Sequence, residues 1–134
     1  MARQLIACEA KCRLCQETFS HPGIIDASYG EIVLNSPDGN SYILASAFGH
    51  FPERVRSALS SAGPDRLWKA LAALADHGPS GPFTTSMHCP HCHSVDLEYW
   101  NGKEIGIVLV PEAAYSEYEA LDDGELARQV ALLA

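Results

Sequence analysis

Cys12, Cys15, Cys89 and Cys92 form two Cys-x-x-Cys pairs, Cys12-Arg13-Leu14-Cys15 and Cys89-Pro90-His91-Cys92, with 73 residues between them. Two cysteines spaced this way can grip one metal ion from a tight turn whose amides point at the sulfurs. Two such grips complete the tetrahedral four-sulfur shell that structural zinc favours. The spacing therefore predicts one structural Zn2+ per chain, held by these four residues. Iron in a four-thiolate site uses the same ligands, so the ligands alone leave zinc and iron both open. Redox exchange is the other chemistry of the motif. A redox pair sits at the start of a helix in a strand–helix–strand unit, and neither pair here has that setting. A metal clip across a gap this long removes much unfolded-state freedom, and structural zinc can contribute on the order of 10 kcal/mol to folding.

The remaining chemistry-bearing residues give weaker signals. His91 and His93 flank Cys92. Either could replace a cysteine or hold a second metal, but they read more simply, with His88, as exposed residues of the knuckle. His21, His50 and His77 lie beside Pro or Gly and carry no ligand pattern. Cys8 is the odd fifth cysteine and reads as a small buried hydrophobe. The chain has no Gly-rich phosphate loop, no His-Glu-x-x-His and no Gly-x-Ser-x-Gly,. A closed four-thiolate shell also lacks the open position that catalytic zinc needs. No enzyme is expected.

These motifs must be held by a mixed set of elements. Arg3–Ala10 reads as a short strand entering the first knuckle, and His21-Pro22-Gly23 as a chain break. Tyr29–Asn35 and Ser41–Phe48 read as a hairpin across Ser36-Pro37-Asp38-Gly39. A helix follows Pro52, with Val55, Ala58, Leu59 and Ala62 on one face; Gly63-Pro64 ends it. A second carries Leu67, Leu71 and Leu74, flanked by Trp68 and Ala75, and stops at Gly78-Pro79. Val95, Leu97 and Tyr99 alternate with Asp96, Glu98 and Trp100 as in a half-buried strand. Asn101-Gly102 predicts a hairpin turn. The apolar run Ile105–Val110 predicts a strand covered on both faces. Pro111 opens a last helical region. In it Ala114, Tyr115, Tyr118 and Leu121 share one face, and Leu126, Val130 and Leu133 continue a stripe.

A strand, a knuckle, then a distant Cys-Pro-x-Cys knuckle opening a hairpin resembles the zinc-ribbon class over residues 3–16 and 87–110. Cys12, Cys15, Cys89 and Cys92 carry the resemblance. It implies an α+β fold: a zinc ribbon with an inserted β-hairpin and helical pair, plus a C-terminal helical segment. The gap between the pairs is far longer than in a compact ribbon. The expected organisation is one domain over 1–134, with the insertion at about 24–82.

The chain of 134 residues is 47% hydrophobic and 19% charged, a globular composition with no apolar run near the length of a membrane helix,. Leu5-Ile6-Ala7-Cys8 looks like a lipoprotein cleavage box, but its apolar stretch is too short for a signal peptide, so a cytoplasmic protein is expected. Five cysteines in such a chain favour metal over disulfides. The formal net charge is −8. Residues 111–134 hold six acids against one base, so −5 of it lies there. An acidic protein without catalytic chemistry is expected to bind a protein, through a face including Glu117, Glu119, Asp122 and Asp123. An immunity- or antitoxin-type inhibitor of a basic partner is one form of this. The alternatives are a nucleic-acid-associated accessory factor using Lys11, Arg13, Arg54, Arg56, Arg66 and Lys69, and an enzyme of unrecognised type. Net negative charge opposes nucleic-acid binding.

Overall fold

The first strand is longer and more central than its sequence suggests. In the computed structural model, which describes residues 2–22, 30–59 and 64–133, strand β1 spans Ala2–Cys12. It pairs antiparallel with strand β2, Thr18–Pro22, in the register Ala7↔Pro22 to Lys11↔Thr18. His21 and Pro22, expected to break the chain, thus belong to a strand. Pro22 ends it on a sheet edge, where a missing N–H is tolerated.

The other edge of β1 is covered by residues 97–111. Two strands lie there, numbered by their place in the chain: β5, Leu97–Tyr99, and β6, Glu104–Pro111. Lys11 faces Tyr99 and Cys12 faces Leu97, while Ala2 through Cys8 face Pro111 through Glu104. Both run antiparallel to the same strand along the same edge. Asn101-Gly102 is therefore not the turn of a hairpin but an interruption in one long partner of β1. The Gly102 N–H donates to Glu9 O at 2.8 Å, and the Glu9 N–H donates to Lys103 O at 3.0 Å. A Cβ on Gly102 would lie 2.7 Å from that Glu9 oxygen. The glycine serves close backbone approach at an irregular step of the ladder.

Strands β3, Glu31–Asn35, and β4, Tyr42–Ser46, form the expected hairpin, from Glu31↔Ser46 to Asn35↔Tyr42. The Gly39 N–H donates to Ser36 O at 3.0 Å, and Gly39 has φ 75°, so the Ser-Pro-Asp-Gly turn is as read,. Tyr29, Ala62 and Gly63 lie outside the described residues.

The hairpin is buried on both faces. Val33 and Leu44 pack on Leu5 and Val110 of the four-stranded sheet. Leu34, Ile43 and Ala45 turn the other way, toward a helical layer. That layer comprises α1, His50–Leu59, α2, Pro64–Leu74, α3, Ser116–Glu119, and α4, Asp123–Ala131. Val55, Leu67, Leu71, Leu74, Leu126 and Val130 fill its core. The fold is thus mixed α+β, with antiparallel sheets and four helices among the described residues.

Several local readings change. Helix α2 stops at Leu74, not at Gly78, because Asp76 bonds outward: its N–H donates to Ala114 O at 2.8 Å and its carboxylate accepts from Ser116. Pro111 ends β6, and the Ala113 N–H then reaches Leu44 O at 2.9 Å, so no helix begins until Ser116. Ala114 is exposed while Tyr115 is buried. Leu133 falls beyond the end of α4 and is 46% exposed instead of docked. Strand β6 is not covered on both faces. Val110 is buried, but Ile107 and Leu109 are 71% and 63% exposed, because only one face meets the hairpin.

His21 is the notable buried polar residue, 1% exposed, with Nε2 3.2 Å from Asn35 Oδ1 and its ring edge-on to Tyr42. Burial pulls its pKa down from 6.5 to about 4, against the pull of the Asn35 contact and the Pro22 backbone,. The folded chain thus keeps the ring neutral where the unfolded chain would protonate it. Stability is full above pH 6.5 and falls as pH drops from 6.5 toward 4, by up to about 3 kcal/mol. An NMR titration of the His21 ring should give a midpoint near 4; a midpoint near 6.5 would show that water reaches it.

Candidate metal centre

The four cysteines come together at the end of β1. Cys12 is the last residue of that strand, and residues 13–17 link it to β2, so the first knuckle is the loop of the β1–β2 hairpin. The second knuckle immediately precedes β5, which lies beside Cys12 through the Cys12↔Leu97 pairing. The Arg13 N–H donates to Asp96 O at 2.9 Å, and the Arg13 side chain reaches the Asp96 carboxylate at 3.2 Å, tying one knuckle to the exit of the other.

All four Sγ atoms lie within 4.8 Å of one another. Across the two knuckles, Cys12 Sγ lies 3.5 Å from Cys92 Sγ and Cys15 Sγ lies 3.7 Å from Cys89 Sγ. A regular tetrahedron with Zn–S bonds of 2.3 Å has S···S edges of roughly 3.8 Å. The donor set could hold a metal ion, and its spacing fits a four-sulfur shell.

The two knuckles are built alike. The amide of the first cysteine donates to the carbonyl five residues on: Cys12 to Glu17 at 3.0 Å, Cys89 to Ser94 at 2.9 Å. Its own carbonyl accepts from the residue four on: Gln16 at 3.1 Å, His93 at 2.8 Å. Gln16 and His93 both take left-handed φ, 65° and 68°. A turn amide is aimed at a sulfur in each, Cys15 N to Cys12 Sγ at 3.5 Å and His91 N to Cys89 Sγ at 3.4 Å. Left-handed backbone is unfavourable for residues other than glycine, so its recurrence at the same offset marks a conformation imposed by the site.

Cys12 and Cys89 are fully buried, Cys15 is half-buried and Cys92 is exposed. Ala10 and Phe19 pack with the buried pair, with Met87 and Leu97 against them. The Cys15 amide, foremost, holds the Cys12 thiol down to about 7 against its burial. Cys15 also accepts from the Glu17 amide, yet burial and the three neighbouring sulfurs push it up to about 12. Four thiolates this close repel one another, and a dication among them removes that repulsion.

The hairpin tip braces the second knuckle. A Cβ on Gly39 would lie 2.4 Å from His88 O and 2.9 Å from Pro90 N. His88 is engaged at both ring nitrogens, Nε2 with Thr84 Oγ1 and Nδ1 with His93 O, each at 3.1 Å. His91 and His93 are exposed. Among the described residues no histidine joins the sulfur cluster. Cys8 is buried within β1 and is not part of it.

The four acids of the expected partner face do not form one surface of equivalent groups. Glu117 and Glu119 are exposed on α3. Asp122 caps α4, accepting from the Glu125 N–H at 2.8 Å. Asp123 holds Arg54 at 2.9 Å. The left-handed Gln16 and His93 were not read from the sequence, although each directly follows the second cysteine of its pair. Compared with known proteins, the chain matches no family model, no curated protein and no solved structure at a significant level.

His91→Ala and His93→Gly should both retain the metal content of the unaltered protein. Because glycine adopts the left-handed turn freely, His93→Gly should be neutral or stabilising by up to about 1 kcal/mol. Metal analysis and thermal unfolding check both expectations. Loss of metal in either variant would make an imidazole a ligand.

Proposed function

We propose that Cys12, Cys15, Cys89 and Cys92 hold one structural zinc ion in a zinc-ribbon-like arrangement, and that the chain is a non-catalytic protein-binding module for a basic partner. The closed four-sulfur geometry supports the structural role, since such a shell keeps no position for water or substrate. As in a ribbon, two knuckles share one metal. The second leads here into a strand that joins β1 in place of a separate hairpin.

The observation that carries the binding reading is how charge is used. Lys11 pairs with Glu98, Arg13 with Asp96, Arg54 with Asp123 and Arg56 with Glu53. Four of the six cations that could have formed a nucleic-acid patch are thereby neutralised. Glu112, Glu117 and Glu119 have no ion pair within 4.0 Å among the described residues. Unpaired acids can steer a basic protein toward this side and speed its association. An immunity- or antitoxin-type inhibitor of a basic toxin is one form of the proposal. The nucleic-acid-associated alternative would need Arg66 and Lys69 to act largely alone.

Two measurements test the reading. The purified protein should carry one zinc per chain, with four sulfurs near 2.3 Å by X-ray absorption. Cys89→Ser should lower the thermal stability of the whole chain, including protease protection of residues 30–59. Iron, a nitrogen-containing shell, or a variant that unfolds like the unaltered protein would each count against the zinc staple. For the partner, Glu117→Lys alone and with Glu119→Lys should fold within about 0.5 kcal/mol per site, since neither side chain makes a structural bond. Both variants should associate more slowly with the protein captured from the native host, with a flatter salt dependence. Asp122→Lys is a poorer probe because losing the cap costs about 1 kcal/mol. Unchanged association rates at low salt would reject the acidic docking face, and capture of nucleic acid would favour the accessory-factor alternative.

A further inference from the structure

Strand β6 is an edge strand. Its eight residues pair with β1 along one side, and among the described residues no strand lies along the other. The N–H and C=O groups of an open edge are a template for another strand, and folded proteins blunt such edges with charged residues or proline. The stretch Ile105–Val110 carries neither. The nearest charges stand at its two ends, Glu104 and Glu112. The strand is held firmly from behind, because Val110 is buried and packs with Leu5, Val33 and Leu44.

The side of β6 turned away from the hairpin is apolar as well. Ile105, Ile107 and Leu109 alternate along the strand and are 46%, 71% and 63% exposed,. No other strand among the described residues exposes such a row. An occupant of this edge must be extended, and it must bring apolar side chains and no charge to the row. A second copy of β6 meets those terms. In an antiparallel pair, residues directly opposite share a face. A register centred on Ile107 sets Ile107 against its own image and Ile105 against the image of Leu109, so the row meets itself throughout. Glu104 then faces Val110 of the second copy. Moving the centre to Val108 would instead set Glu104 against Glu112, two like charges.

We propose that β6 pairs with β6 of a second copy of this chain, antiparallel about a two-fold axis at Ile107, so that two four-stranded sheets become one continuous sheet. The contact is isologous, each copy giving the same strand. One strand edge is small beside a standard protein interface, so the dimer is weak and concentration-dependent. The charge of −8 on each copy opposes it, and self-association therefore tightens as salt screens that repulsion. The pairing uses no residue of the cysteine cluster or of α3, so it stands or falls apart from the function proposed above.

The test uses the full metal-loaded chain in sedimentation velocity, across roughly 1 µM to 1 mM, a range that brackets weak association. Monomer should give way to dimer over that range. Hydrogen exchange at its two ends should show β6 amides better protected in the dimer. Ile107→Lys sets two ammonium groups against each other at the axis and should weaken association by about tenfold or more. It should unfold at nearly the same temperature, because the side chain is on the surface. Ile105→Lys and Leu109→Glu serve as further variants if Ile107→Lys is poorly folded. Each should weaken the dimer alone, and mixing the two should restore it, since the register sets the introduced lysine against the introduced glutamate. A chain that stays monomeric throughout would overturn the proposal. So would a dimer indifferent to Ile107→Lys, a dimer that protects no β6 amide, or a mixture that associates no better than either variant alone.

Discussion

The antiparallel register of β1 with residues 97–111 is the constraint on which the rest depends. Cys12 terminates β1, and its pairing with Leu97 brings the stretch just after Cys92 alongside. The second knuckle therefore arrives next to the first through backbone hydrogen bonding, before any metal is considered. Side chains alternate across a strand, so a slip of one residue would turn Leu5 and Val110 away from the hairpin and Cys12 away from its partners. The Gly102 interruption adjusts this register. It allows β5 to follow the end that carries Cys12 while β6 follows the end that carries Leu5.

Between the sheet and the helices lies the β3–β4 hairpin, and it couples the cysteine cluster to the core. Its residues alternate between the two layers, Val33 and Leu44 toward the sheet and Leu34, Ile43 and Ala45 toward the helices. Its turn presses Gly39 against the backbone at His88 and Pro90. At that point glycine is required twice, for the left-handed turn and for the absence of a Cβ. The segment between the two cysteine pairs is thus built into the site's support. The cysteine cluster, hairpin placement and helix packing share contacts, and loosening one should be felt in the others.

Electrostatics divide the molecule by use rather than by sign. Arg54 illustrates this: it holds Asp123 and donates to the Glu119 carbonyl at 3.1 Å, fastening the α3–α4 corner to α1. Asp122 is consumed by its cap. Glu112, Glu117 and Glu119, on and around α3, have no ion pair within 4.0 Å among the described residues. The acidity visible in composition is therefore partly structural,.

By itself the sequence determined the four cysteines that come together, the Ser-Pro-Asp-Gly hairpin, the two helices around Val55 and Leu71, and the α+β class. Each rests on local chemistry: a spacing that fits one turn, a residue suited to a dihedral angle, or a period that matches an element. Other features were decided only by tertiary pairing. Asn101-Gly102 has the composition of a hairpin turn, but β1 offers both flanking segments one edge, so the chain continues instead of reversing. Thr18–Pro22 is a strand because β1 needs a partner on its other edge. Ile107 and Leu109 are apolar yet exposed because the hairpin covers only one face of β6. Tyr115 is buried with its ring stacked on Phe51, a residue far away in the chain. Hydrogen-bond partners across strands and the burial of a given face are set by which surfaces meet, and residue type and spacing along the chain do not encode that choice locally.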